Sequence, residues 1–233
     1  DGTPSLAGFD MALAQYIADY MGLELEVVTV DFDGVLTELQ TKSVDLGMAG
    51  LSPDPVREAA MDFSDIYYEG GQSLVTVKDN ADTYNSTDAV NDPSVSVGAQ
   101  TGSIQLDLAQ KNSPDADIVS LPKVTDIISE LLAGKLDAAY IETDVAKSYQ
   151  KNYPDLEIVA DVPYDVVGSS IGVSKGNAEL LAAVNEAIAA AKADGSLEEY
   201  IAEANALASG EKYEGLLNEN GEVAADETEA VTE

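Results

Sequence analysis

The sequence predicts an α/β protein of two lobes, and three observations predict it. Apolar residues at three- and four-residue spacing alternate with short β-rich runs, the pattern of strands joined by crossover helices. That alternation occurs twice, over residues 9–51 and again from residue 94 to 160, with a polar stretch of loop composition beginning at Asp79 between the two series. Two further strand-like runs, GGQSLVTVK (70–78) and VVGSSIGVSK (166–175), flank the second series.

In chain order, Phe9, Ala12, Leu13, Tyr16, Ile17 and Tyr20 share one helix face, and Gly22 ends that helix. LELEVVTV (23–30) alternates and is rich in β-branched residues, which predicts a strand. GVLTELQTK (34–42) reads as a short helix and VDLGMAGL (44–51) as a buried strand. In the second series, SVSVGAQ (94–100) is a strand leading into a helix from Ser103, followed by strand DIVSL (117–121) and helix VTDIISELLAG (124–134). Strand LDAAYI (136–141), helix TDVAKSYQKN (143–152) and strand LEIVA (156–160) complete it. NAELLAAVNEAIAAAKADG (177–195) is an alanine-rich amphipathic helix closed by glycine, and SLEEYIAEANAL (196–207) makes one more. From Glu211 onward eight carboxylates stand against one lysine, which predicts a solvated, mobile tail.

Composition excludes several functions. With 233 residues and 45% apolar content the chain can bury a real core. Eleven basic residues against 44 acidic ones give a formal net charge of -33, which repels nucleic-acid phosphates and anionic lipid. No cysteine is present, hence no disulfide, thiolate metal site or cysteine nucleophile, and no histidine, which removes the commonest general base and zinc ligand. No D-x-D-x-D-G calcium spacing appears, no cofactor is called for, and no apolar run approaches the ~20 residues that span a bilayer.

One residue stands out against this background. Arg57, in AGLSPDPVREAAMDFS (49–64), is the only arginine, and all ten other basic residues are lysines. It reads either as a surface arginine paired with Asp54 or Glu58, or as a planar fork reserved for a carboxylate ligand, which lysine cannot mimic. It follows a strand end, where ligands of open α/β sheets sit, and Ser52 and the backbone at Gly50 lie close by. In VGAQTGSIQ (97–105) the strand ends at Gln100, and Gly102 and Ser103 lead into a helix start suited to an anion, or simply form a capped turn. Glu142, after a buried strand, reads as a helix-start carboxylate or as a partner for an ammonium group. An arginine and a helix start for a carboxylate, with a separate carboxylate for an amine, describe a site for an α-amino acid.

From Gly8 to about Leu207 the chain resembles the extracytoplasmic substrate-binding proteins of ABC importers for polar amino acids, of the two-lobed periplasmic-binding-protein type II. The blocks that carry the resemblance are AGFDMALAQYIADYMGLELEVV, VDLGMAGLSPDPVREAAMDFSDIYYEGGQSLVTVK, VGAQTGS, GKLDAAYIETDVA and IGVSKGNAELLAAVNEAIAAAKADGSLEEYI. It implies a clamshell, each lobe a mixed sheet flanked by helices, with residues 1–73 and 168–209 in lobe 1, residues 74–167 in lobe 2, a hinge near residues 70–76 and 164–170, and an acidic tail from 210. In this family one more strand ordinarily precedes DGTPSLAGFD. The resemblance further implies that Arg57, helped by Ser52 and the backbone at Gly50, binds a ligand α-carboxylate that Ser103 and the Ile104 amide also hold. Glu142, where the family usually has aspartate, takes the ammonium, while Phe32 and Gln100 touch the ligand side chain; alternatively, Phe32 is a core residue beside Val35 and Leu36. The expected protein is a monomeric, non-enzymatic carrier outside the cytoplasm that hands a free amino acid to a membrane permease, tethered where a removed leader carries a lipid-attachment cysteine. A dehydratase of arogenate or prephenate with Glu142 as acid or base, and an amino-acid-sensing extracellular domain, are the competing readings on the same fold.

Overall fold

A computed structural model describes residues 7–165 and 168–210, with the side chains of 207–210 left aside. The predicted acidic tail from Glu211 and residues 166–167 of the expected hinge lie outside the described residues. In chain order the elements are α1 (Phe9–Met21), α2 (Phe32–Thr41), β1 (Leu46–Gly47), α3 (Pro55–Glu58), β2 (Met61–Phe63), β3 (Gln72–Val77), β4 (Ser96–Gln100) and α4 (Ile104–Asn112). There follow β5 (Asp117–Leu121), α5 (Val124–Leu132), β6 (Ala138–Glu142), α6 (Thr143–Asn152), β7 (Leu156–Asp161), β8 (Gly172–Ser174), α7 (Ala178–Asp194) and α8 (Ser196–Gly210). The fold is α/β, two sheets flanked by helices.

The chain divides into two compact units. One runs to Gly71 and resumes at Pro163; the other is Gln72–Val162. These divides differ slightly from the 73/74 and 167/168 boundaries expected from sequence. The reason is local: the Val162 N–H donates to the Gln72 carbonyl at 2.7 Å, so both crossing segments are fastened into the second unit's sheet at those residues.

In the first unit, α1 buries Leu13, Ile17 and Ala18, and Gly22 closes it in the left-handed conformation. Leu13 and Ile17 meet Val184, Ala187, Ile188 and Ala191 of α7, Leu197 of α8, Tyr67 and Ile171 in one apolar cluster. The sheet has three strands in the order β1-β8-β2, both pairings antiparallel, with Leu46 opposite Val173 and Met61 opposite Ser174. Among the described residues its pairings are antiparallel, and the strand predicted over 44–51 shrinks to Leu46–Gly47. The strand predicted over 23–30 is absent: Leu23, Val27, Val28 and Val30 are exposed, and no described residue pairs with them. Alternation alone does not make a strand; a hydrogen-bonding neighbour does. A second, smaller cluster of Leu39, Leu51 and Met61, with Phe32, Val35 and Leu36 against it, seats α2 on this sheet.

In the second unit five strands run in the order β5-β4-β6-β3-β7. β4 is parallel to β5 and β6, whereas β3 is antiparallel to β6 and β7, so this sheet is mixed as expected. Its core joins Val75, Ala139 and Ile141 of the sheet to Ile127, Ile128 and Leu131 of α5 and to Ala146 and Tyr149 of α6. Gly98 on β4 makes the close approach of α5 possible: a Cβ there would lie 2.6 Å from Leu136 Cδ1 and 3.2 Å from Ile127 Cγ2. Gly98→Val is expected to cost about 1 to 3 kcal/mol of stability by overpacking this core, read as a lower denaturation midpoint; an unchanged midpoint would mean that α5 yields without cost.

Candidate functional site

The first unit carries the arginine loop. Asp54, with Pro55 behind it at the first helical position, caps α3: its Oδ1 accepts from the N–H groups of Val56 (2.8 Å) and Arg57 (3.1 Å). The other carboxylate oxygen pairs with Arg57 Nε at 3.1 Å, and Arg57 Nη1 donates to the Ser52 carbonyl at 3.1 Å. One short sequence, SPDPVR, thus builds the helix turn and orients the guanidinium. The pairing with Asp54 is the one the bland sequence reading anticipated, but the arginine is not a surface residue: it is only 8% exposed. A buried, oriented guanidinium is a costly feature for a mere surface ion pair.

Phe32, the first residue of α2, is half-buried against the Leu39–Leu51–Met61 cluster and also faces Arg57, whose Cζ lies 6.0 Å from its ring centroid. Both readings of Phe32 therefore have a basis. Gly50 stands at φ 60, a left-handed conformation that favours glycine. Its N–H is turned to Asp10, donating to Oδ2 at 3.2 Å, so of the Gly50 backbone groups the amide is already engaged. Ser52 is buried at 6% exposure beside it.

The second unit carries the other residues. Ser103 caps α4: its hydroxyl accepts from Leu106 N–H at 3.3 Å and donates to the Gln100 carbonyl at 2.7 Å. The cap thus uses the hydroxyl's donor and one of its acceptor positions. Ile104 opens the helix, and first-turn N–H groups have no carbonyl partner within a helix. The Gln100 side chain donates to the Pro122 carbonyl at 3.0 Å. Glu142 ends β6 and caps α6, its Oε2 accepting from Val145 N–H at 2.8 Å. Its Oε1 is buried with no hydrogen-bond partner. Burial, chiefly, raises the Glu142 pKa above the ordinary carboxylate value, against the lowering effect of the Val145 and Asp144 N–H groups.

Three residues near these were missed in the sequence. Gln72, 8% exposed and opposite Glu142 in the β3–β6 register, accepts from Gln105 Nε2 at 2.7 Å, which places two amides beside the Glu142 strand end. The third, Asp10, sits in the first turn of α1. No local signal marks these residues, because their partners lie 33 to 70 residues away in sequence. Among the described residues no group of acidic side chains has metal-binding arrangement.

Residues 1–204 match the bacterial extracellular solute-binding proteins, family 3. The chain is 33% identical over 199 residues to the arginine-binding extracellular protein ArtP of Bacillus subtilis, covering 83% of this chain and 76% of the relative. It is 28% identical over 193 residues to the L-cystine-binding protein TcyJ of Escherichia coli, covering 83% and 72%. Among solved structures, the amino acid ABC transporter substrate-binding protein AbpA of Streptococcus pneumoniae, bound to L-arginine, superposes with a TM-score of 0.86 at 33% identity, over 91% of this chain and 89% of that one.

Proposed function

This chain belongs to the bacterial extracellular solute-binding proteins of family 3, and from that premise we propose that it captures a free amino acid and delivers it to an ABC importer in the membrane. Arg57 takes the ligand's α-carboxylate in the first unit, and Glu142 takes its ammonium in the second. The observation that carries the reading is Arg57 itself: the sole guanidinium of an acidic chain, buried and held in one plane by Ser52 and Asp54. That fork matches a carboxylate in two parallel hydrogen bonds, whereas a lysine offers only a point charge. The unpartnered Oε1 of Glu142 supports the other half, since a buried carboxylate oxygen without a donor is stabilised when a cation arrives. Of the remaining candidates, the Ile104 N–H is suited to the carboxylate, and Phe32 and Gln100 to the ligand side chain. The Gly50 carbonyl rather than its amide is the group left to offer.

Binding without chemistry fits these groups better than turnover. The relatives are named as binding proteins, and a chain without histidine or cysteine offers Glu142 a narrow choice of partners for acid–base chemistry. L-Arginine is the first ligand to test, because the names of two relatives carry it. In a thermal-shift screen of the twenty amino acids, the bound one is expected to raise the melting temperature, since a ligand at about 100 times its dissociation constant adds roughly 2.7 kcal/mol of stability. No shift with any of them would reject the reading.

A further inference from the structure

Asp10 stands outside the set of ligand groups, yet its two oxygens tie three distant segments of the first unit together. Oδ1 accepts from the Tyr67 hydroxyl at 2.7 Å and Oδ2 from the Gly50 N–H at 3.2 Å. Tyr67 is itself fixed: it is 3% exposed, its N–H donates to the Ser169 carbonyl at 2.9 Å, and its ring lies 5.6 Å from that of Phe9. Gly50 is the pivot of the loop, at φ 60, and after the fully buried Leu51 the chain reaches Ser52, whose carbonyl holds Arg57 Nη1. The chain of contacts therefore runs from α1 through Gly50 to the guanidinium. Nothing in the capture of an amino acid by Arg57 and Glu142 uses Asp10 directly, and a half-buried carboxylate is costly to keep unless its oxygens are hydrogen-bonded, as both of these are.

We propose that Asp10 is a positioning residue for amino-acid capture: by holding the Gly50 N–H, with Tyr67 as its own brace, it sets the loop from which Ser52 aims Arg57. The inference rests on the reading of Arg57 as the ligand's carboxylate fork. What matters is the geometry of acceptance rather than the charge. An asparagine at position 10 can still accept from Gly50 through its carbonyl oxygen while its amide nitrogen donates to the Tyr67 oxygen, because a tyrosine hydroxyl both donates and accepts. An alanine can do neither. Desolvation raises the Asp10 pKa while Tyr67 and Gly50 pull it down, which fits a half-buried carboxylate kept for its acceptor geometry.

The test uses the whole chain and an equimolar mixture of the twenty L-amino acids as the probe, titrated against each folded variant with the melting temperature as readout. Asp10→Ala is expected to weaken the apparent affinity by about tenfold or more, the usual size of a lost hydrogen bond to a charged group. Asp10→Asn is expected to retain affinity within about threefold of wild type, as the same bonds can form. A merely structural role would lower the melting temperature of unliganded Asp10→Ala and leave its affinity unchanged, and that result overturns the inference. A loss in Asp10→Asn as large as in Asp10→Ala also overturns it, because charge or direct ligand contact would then be what counts. If Asp10→Ala fails to fold, Tyr67→Phe decides: removal of the brace weakens affinity if the inference holds and leaves it unchanged if not. Arg57→Ala run in parallel separates the two layers. Full affinity in Arg57→Ala, or no response of the wild type to the mixture, overturns the site reading and this inference with it; loss in Arg57→Ala with none in Asp10→Ala overturns this inference alone.

Discussion

Replacing Arg57 with alanine is expected to weaken amino-acid binding by about 2 to 5 kcal/mol, a loss of roughly thirtyfold to several thousandfold in dissociation constant, measured by calorimetry on the folded variant. The size follows from the setting. Arg57 is only 8% exposed, so a ligand carboxylate that loses it would be left in a poorly solvated place without a counter-charge. The lysine variant is the sharper experiment. Lysine keeps the positive charge but not the planar fork, and it cannot reproduce the separate bonds that Nε makes to Asp54 and Nη1 to the Ser52 carbonyl. Arg57→Lys should therefore recover only a minor part of the loss. Asp54 keeps its capping bonds to Val56 and residue 57 in either variant, so α3 should survive and the effect should appear in affinity more than in fold stability. Wild-type affinity in Arg57→Ala would reject the assigned site.

α1 was legible because Leu13 and Ile17 repeat at helical spacing and Gly22 supplies the left-handed close, both written within a few residues. β6 was legible as an apolar run because a strand buried on both faces needs no alternation. β2 was not: Met61–Phe63 is a strand only because β8 pairs with it from more than a hundred residues away. Residues 23–30 show the converse error, a clean alternating pattern left without a neighbour among the described residues. The site divides the same way. Arg57 was visible as the one arginine in the chain, and Glu142 by its place after an apolar strand. Asp10 and the Gln72–Gln105 pair were invisible, since each owes its meaning to a partner from a different element. Ser103 was visible for two reasons at once, and its hydroxyl makes the cap.

Glu142→Gln is expected to weaken amino-acid binding by about 2 to 5 kcal/mol at neutral pH and to abolish a pH dependence that the wild type shows. Burial outweighs every other influence on this carboxyl and lifts its pKa above the ordinary 4.5; the Val145 and Asp144 N–H groups and the Lys147 ammonium oppose that rise, while the Asp144 charge adds to it. For the unliganded fold the sign is fixed by linkage: a carboxyl whose folded pKa is raised favours the folded state below pH 4.5, and that contribution is lost as pH climbs through the raised value. Binding runs the opposite way, because a ligand ammonium needs the ionised form. Affinity should therefore rise as pH increases through the raised pKa of Glu142, and binding just below that value should release a proton, detectable as a dependence of the apparent heat on buffer ionisation enthalpy. Glutamine keeps the capping acceptor for Val145 but cannot ionise. In Glu142→Gln both the release and the pH slope should vanish, whereas an amino acid lacking its free ammonium, such as an N-acetyl derivative, should lose little further affinity on going from wild type to variant. An unchanged slope in Glu142→Gln would move the ammonium site to another acceptor in the chain.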